Sequence, residues 1–166
     1  MTPQEFIAEI GPGAKQSCID TGIPASVTLA QAALESGWGT SSLAMQDKNL
    51  FGIKGFPPEW TGPTAEWPTQ EWNGSKYIEK MQPFRVYDSW QASLDDHARF
   101  FFVNQNYRPA LAVREQPDAF ARAIQAAGYA TDPNYANKLI EIMNDFHLYD
   151  WDVPRSKWVL LPWAQV

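Results

Sequence analysis

The apolar residues of this chain change period twice, and that change limits its fold more than any single motif does. From Ile23 to Ser36, Val27, Ala30 and Leu34 together with Leu29 and Ala33 recur at helical spacing and form one broad apolar face. Pro24 suits the first turn of that helix and Gly37 its end. From Asn49 to Tyr87 Gly, Pro and aromatic residues dominate and no helical stripe survives. There Asn73-Gly74 signals a two-residue hairpin turn between residues 70–72 and 75–77, and residues 84–87 form a further extended run, so a hairpin or three-stranded sheet is expected. Helical spacing then returns. One helix, capped by Asp88 or Ser89, carries Trp90, Leu94, Ala98 and Phe101; a second runs from Pro117-Asp118 to Gly128 with Phe120, Ile124 and Ala127. A third follows Asp132-Pro133 with Tyr135, Leu139, Ile142 and Phe146 on one face. Ahead of them all, Phe6, Ile7, Ile10 and Ala14 keep helical spacing, but Gly11-Pro12-Gly13 interrupts it and predicts two short helices between Pro3 and Asp20. Strands inserted between helices predict an α+β fold, mostly helical, with a small β-hairpin lobe.

The 166 residues fit one domain, expected to cover 1–166, and the aperiodic tail 150–166, with Trp151, Trp158 and Trp163, is expected to pack back on it. A net charge of -6 without a basic stripe argues against nucleic acid as a partner. Cys18 is alone, so no intrachain disulfide forms, and a small buried apolar role is expected for it. His97 and His147 stand far apart in sequence without a helical partner at ligand spacing, so no metal site is expected, and no phosphate-cradling loop points to another cofactor. The first residues do not read as a signal peptide and no apolar run reaches membrane-spanning length. Synthesis in the cytoplasm without a signal peptide is expected, and a target outside it, in the periplasm or on the cell wall, is then expected to be reached through another delivery system.

Chemistry concentrates at Glu35, which ends an apolar helix just before Ser36-Gly37-Trp38-Gly39. The negative end of a helix disfavours an ionised carboxylate, and desolvation by a neighbour such as Trp38 acts in the same direction. A carboxyl group that keeps its proton near neutrality can donate it to a leaving oxygen. A glycosidase needs a second group to activate water or attack the sugar. Glu71, two residues before the hairpin turn, is the candidate, and Glu66 its competitor. Eight Trp, six Tyr and nine Phe exceed what a core of this size needs, and flat aromatic faces stack on sugar rings.

The run from Leu29 to Gly39, LAQAALESGWG, followed by NLFGIK at 49–54, resembles the bacterial N-acetylglucosaminidases of glycoside hydrolase family 73. The likeness continues through WTGP at 60–63, TQEW at 69–72, FRVY at 84–87 and AGYATDP at 127–133, and covers about residues 23–146. It implies a lysozyme-like fold whose β-hairpin lobe flanks a substrate groove, and hydrolysis of the β-1,4 bond between N-acetylglucosamine and N-acetylmuramic acid in peptidoglycan. By motif position Glu35 matches the catalytic acid, Glu71 the hairpin glutamate, and Tyr129 the tyrosine that assists at the N-acetyl group, with Tyr135 close by. Trp38, Asn49, Phe51, Trp72 and Tyr135 are the expected substrate-binding residues. The flagellar type usually has Thr-Thr-Glu-Tyr where this chain has Thr-Gln-Glu-Trp.

Three other readings stay open on sequence. A muramidase or lytic transglycosylase can work on a similar fold with one glutamate. A silent glycan-binding module would use Trp38, Trp60 and Trp72 as platforms. Biologically, either a holin-released endolysin or a secreted bacteriolytic effector fits; the second implies an immunity protein that plugs the groove.

Overall fold

The computed structural model describes residues 1–166, and its architecture is the mostly helical α+β one expected. Seven helices and one antiparallel strand pair follow in the order α1 (Pro3–Thr21), α2 (Ala25–Ser36), α3 (Ser42–Gln46), β1 (Thr64–Trp72), β2 (Tyr77–Arg85), α4 (Trp90–Val103), α5 (Arg108–Ala112), α6 (Pro117–Ala126) and α7 (Tyr135–Asp145). Short 3-10 turns punctuate the tail.

The N-terminal segment corrects the expectation of two short helices: α1 is continuous, with Pro12 inside it. Interior proline removes a backbone hydrogen bond and costs a helix about 3 kcal/mol. Burial of Phe6, Ile10, Ala14 and Cys18 along one face opposes that loss, and a capping box between Thr2 and Glu5 fixes the start. Gly11 serves close packing here: a Cβ on it would stand 2.6 Å from the Trp151 ring of the tail.

Helix α2 is the hub. Residues 25–33 are all buried, so the apolar face read from the sequence wraps nearly the whole helix, and Leu34 is the exception at 37% exposed. Its neighbours are α1, α6, α7 and the turn at 148–151. The tail crosses α1 through Val159 N–H to the Ile19 carbonyl (2.9 Å) and Leu161 N–H to that of Asp20 (2.8 Å).

The strand pair forms a two-stranded arm in which Trp72 pairs with Tyr77 and Thr64 with Arg85. The turn is longer than the two residues expected, with residues 73–76 outside the strands. The Asn73 side chain closes it, accepting from Ser75 N–H and Lys76 N–H at 3.0 Å each, an Asx turn that a dipeptide signal does not distinguish from a tight one. The run at 84–87 supplies no third strand; its first two residues end β2. Residues 77–81 of β2 are exposed, whereas Gln82, Phe84 and Arg85 at the root are buried.

Polar pins seat that root. Asn49, 1% exposed, donates through Nδ2 to the carbonyls of Ile53 (3.0 Å) and Arg85 (2.9 Å), while its Oδ1 accepts from Phe51 N–H (3.3 Å) and Ile53 N–H (3.2 Å). Arg85 donates to Asp96 on α4 at 2.8 Å, and the Trp67 indole donates to Asp47 at 2.6 Å. Asn49→Ala removes the side-chain partner of Phe51 N–H, Ile53 N–H and the Arg85 carbonyl, while the Ile53 carbonyl keeps the Arg85 N–H, and each unsatisfied buried group costs on the order of 1–3 kcal/mol. Allowing for relaxation, the expected loss of unfolding free energy is about 3 kcal/mol in a urea titration; a loss below about 1 kcal/mol removes Asn49 as the pin.

Candidate active site

The end of α2 is built to hold one carboxyl group at a groove. Gly37 adopts the left-handed conformation (φ 57°) that terminates a helix, and Trp38 follows in the same region at φ 59°. For a non-glycine residue this costs about 1 kcal/mol. Packing of the indole on Phe146 (ring centroids 4.6 Å apart) and Phe6 (6.1 Å) opposes that cost. The Ser36 hydroxyl donates to the Ala32 carbonyl at 2.6 Å and accepts from Gly39 N–H at 2.8 Å, which locks the turn. Glu35 projects from this frame.

Glu35 is solvent-accessible and at the same time surrounded by protein, as a side chain in a concave wall is. Burial raises its pKa above the ordinary glutamate value, and a smaller opposing effect comes from the Tyr135 hydroxyl, which donates to Oε1 at 3.1 Å. That phenol is 3% exposed and accepts from Gln31 Nε2 at 2.9 Å. Tyr129 is half-buried and stacks on Tyr135 (5.7 Å, 21°). Burial first, then the Glu35 carboxyl, push the Tyr129 hydroxyl well above its ordinary pKa, so it stays protonated.

Glu71 stands in the opposite environment. Its Oε1 accepts from Gln82 Nε2 at 2.8 Å and pairs with Lys54 Nζ at 3.4 Å, and Lys80 lies 4.0 Å from Oε2. The Gln82 hydrogen bond, then the Lys54 contact, lower its pKa and hold it ionised. Strand alternation separates it from its competitor. Ala65, Trp67, Thr69 and Glu71 share the half-buried face of β1, while Glu66 lies on the exposed one with Trp72.

A cavity of about 570 Å³ links the two lobes. Glu35 is not among its lining residues, but Lys54, which binds Glu71, and Phe100, whose ring meets Tyr129 edge-on at 6.1 Å, both are. It lies between the root of the arm, at Lys54 and Arg85, and the face of α4 that carries Asp96 and Phe100.

The other expected contacts divide. Tyr135 reaches Glu35 directly. Trp38 is half-buried, its ring packed on Phe146. Trp72 is 60% exposed at the arm's end against Tyr77. Asn49 and Phe51 do not line the groove: the Asn49 amide is fully engaged at the arm's root, and Phe51, 4% exposed, stacks on the His97 ring at 3.8 Å. Asn49 fixes the root of the arm and Phe51 packs on α4, and a buried role leaves no mark in sequence that separates it from a binding one. Two participants were missed, Gln31 and His97. Gln31 lies one turn before Glu35 in an otherwise apolar stretch, and that spacing was the available signal.

Residues 11–148 match the sequence model of the glucosaminidase family, described as mannosyl-glycoprotein endo-beta-N-acetylglucosaminidase. The peptidoglycan hydrolase FlgJ of Pseudomonas aeruginosa is 40% identical over 149 residues, 87% of this chain and 37% of that protein. The exo-glucosaminidase LytG of Bacillus subtilis is 39% identical over 132 residues, 76% of this chain and 45% of its own. This chain thus spans less than half the length of these curated relatives. Among solved structures, the catalytic domain of the Listeria monocytogenes autolysin Auto superposes with a TM-score of 0.80 at 32% identity, covering 90% of this chain and 87% of that one. The matched stretch contains Glu35, Glu71, Tyr129 and Tyr135, and the chain belongs to the glucosaminidase family, glycoside hydrolase family 73.

Proposed function

We propose that the chain hydrolyses peptidoglycan at the β-1,4 bond between N-acetylglucosamine and N-acetylmuramic acid, with Glu35 as general acid and Glu71 as general base. The observation that carries this reading is the contrast between the two carboxyl groups. Burial raises the pKa of Glu35, whereas hydrogen bonds and ammonium groups lower that of Glu71. In the reaction Glu35 gives its proton to the glycosidic oxygen as the bond from that oxygen to C1 of N-acetylglucosamine breaks. Water adds to C1 and its proton passes to Glu71. The names of the relatives, peptidoglycan hydrolase and exo-glucosaminidase, support the substrate class.

A second mechanistic reading has one observation in its favour. Glu71 is pinned by Gln82 and Lys54 with a lowered pKa, which makes it a weak base. In that route the substrate's acetamido oxygen attacks C1 and Tyr129, half-buried beside Tyr135, orients the acetamide.

In the organism we propose action on the cell wall after delivery by another system, with an inhibitor that fills the groove as protein partner. No helix is long and apolar enough to cross a membrane.

On purified sacculi, wild type is expected to release fragments with reducing-end N-acetylglucosamine, and Glu35→Gln to slow this by at least about 100-fold. Anhydromuramic products, seen by mass spectrometry, indicate a transglycosylase instead; full activity of Glu35→Gln removes the acid assignment. The rate is expected to be bell-shaped in pH, with its acid limb below and its alkaline limb above the ordinary carboxyl pKa. Glu71→Gln abolishes the acid limb under the first mechanism and leaves turnover near normal under the second.

Stability gives a test without substrate. A folded-state pKa raised above the unfolded one gives a contribution complete below the unfolded value and lost as pH rises through the folded value. The melting temperature of Glu35→Gln relative to wild type is therefore expected to climb as pH rises above the ordinary carboxyl value of about 4. A flat difference in paired thermal melts contradicts the desolvated carboxyl.

A further inference from the structure

Behind Glu35 the side chains of Tyr135, Gln31 and His97 form an unbroken file into the core. The Tyr135 hydroxyl lies 3.1 Å from Glu35 Oε1, Gln31 Nε2 lies 2.9 Å from that hydroxyl, and His97 Nε2 lies 2.9 Å from Gln31 Oε1. Gln31 and His97 are fully buried, and the other imidazole nitrogen, Nδ1, is buried without any partner. A file like this can run in either of two senses, because an amide can face either way and a phenol can donate to either side.

The orphaned nitrogen decides between them. Burial lowers the His97 pKa to about 3, so its ring is neutral and holds one N–H. If that hydrogen sat on Nδ1, a buried donor would be stranded. On Nε2 it is bonded to Gln31, and only an acceptor is left unpaired, the milder and commoner defect. With Nε2–H donating to Gln31 Oε1, the amide must turn its NH₂ toward Tyr135. Receiving a hydrogen from Gln31, the Tyr135 oxygen turns its own toward Glu35 Oε1.

We infer that Gln31 and His97 are positioning residues: they fix the Tyr135 hydroxyl as donor to Glu35 Oε1 and so place the transferable proton on Oε2. The inference rests on Glu35 being the acid. Its consequence is directional. A donor to Oε1 stabilises the carboxylate left after proton transfer, while a reversed file would turn the Glu35 proton inward to Tyr135. Burial and the Tyr135 bond are the two influences on the Glu35 pKa. The other titratable groups facing it are Tyr129 beside Tyr135 and His97, neutral, on α4. Cys18 of α1 and Asp152, bound to Ser26, lie toward the opposite end of α2, and Glu71 is paired with Lys54 and Lys80 on the arm.

The test is a 13C titration of the Glu35 carboxyl, assigned with Glu35→Gln, together with 15N spectra of the His97 ring. Wild type is expected to show the ring hydrogen on Nε2, a measurement that needs no variant. Tyr135→Phe should raise the Glu35 pKa by about one unit, since a hydrogen bond to a charged group is of that size. Gln31→Met and His97→Phe should raise it by about half a unit. His97→Gln, which restores an N–H near the same point, should return it to the wild-type value. Gln31→Met combined with Tyr135→Phe should shift it no further than Tyr135→Phe alone. A ring hydrogen on Nδ1, or an unmoved carboxyl titration in folded Gln31→Met, overturns the inference. Neither readout involves turnover, so an active Glu35→Gln would count against the acid assignment and leave the orientation of the file as measured.

Discussion

A carboxyl group at the end of a buried helix has to be kept from ionising or be compensated, and the rest of this molecule is arranged around that constraint. Helix α2 is enclosed through residues 25–33 by four neighbours, so its end opens on the groove from a rigid, water-poor support. Charge at such a point is opposed by desolvation and by the helix's own negative end. What water would have supplied comes from one phenol, Tyr135, whose single hydrogen bond leaves the net effect on Glu35 upward. A second donor in that place would bring the carboxyl back toward an ordinary pKa and spoil it as an acid at neutral pH.

The arm follows the reverse logic. Glu71 lies at 31% side-chain exposure among a buried amide and two ammonium groups, so it ionises easily and holds its position by polar contacts. Two carboxyl groups of the same residue type are thus driven apart in pKa by packing on one side and hydrogen bonding on the other.

Much of this was legible in the sequence because long elements carry long signals. The face of α2, the Ser89-capped face of α4 and the strands around Asn73 all emerged from periodicity and turn chemistry. Short elements did not: α3 and α5 have five residues each, too few to show a period. The error in α1 came from reading Gly11 and Pro12 by local propensity, when Gly11 packs closely on Trp151, some 140 positions on, and the face with Phe6, Ile10, Ala14 and Cys18 is buried. At the site, Glu35 is visible because it follows an apolar stripe and precedes a glycine cap. Gln31 and His97 are not, since a buried polar side chain is recognisable only by its partners, and these meet across 66 positions. Asn49 and Phe51 show the converse, a conspicuous motif whose side chains are buried, the first anchoring the arm and the second stacked on His97 of α4.

The two halves of the site therefore belong to bodies held by different forces. Glu35 stands on a core of packed apolar side chains, insensitive to salt and slow to rearrange. Glu71 stands on a two-stranded arm whose outer half, residues 77–81, is solvated, and whose attachment is the Asn49, Asp47 and Asp96 hydrogen bonds. Local opening draws on the regions with fewest buried apolar contacts, which here is the arm and not the helix. Glu35 stands on the more rigid of the two, with the Tyr135, Gln31 and His97 side chains in an unbroken hydrogen-bonded file behind it.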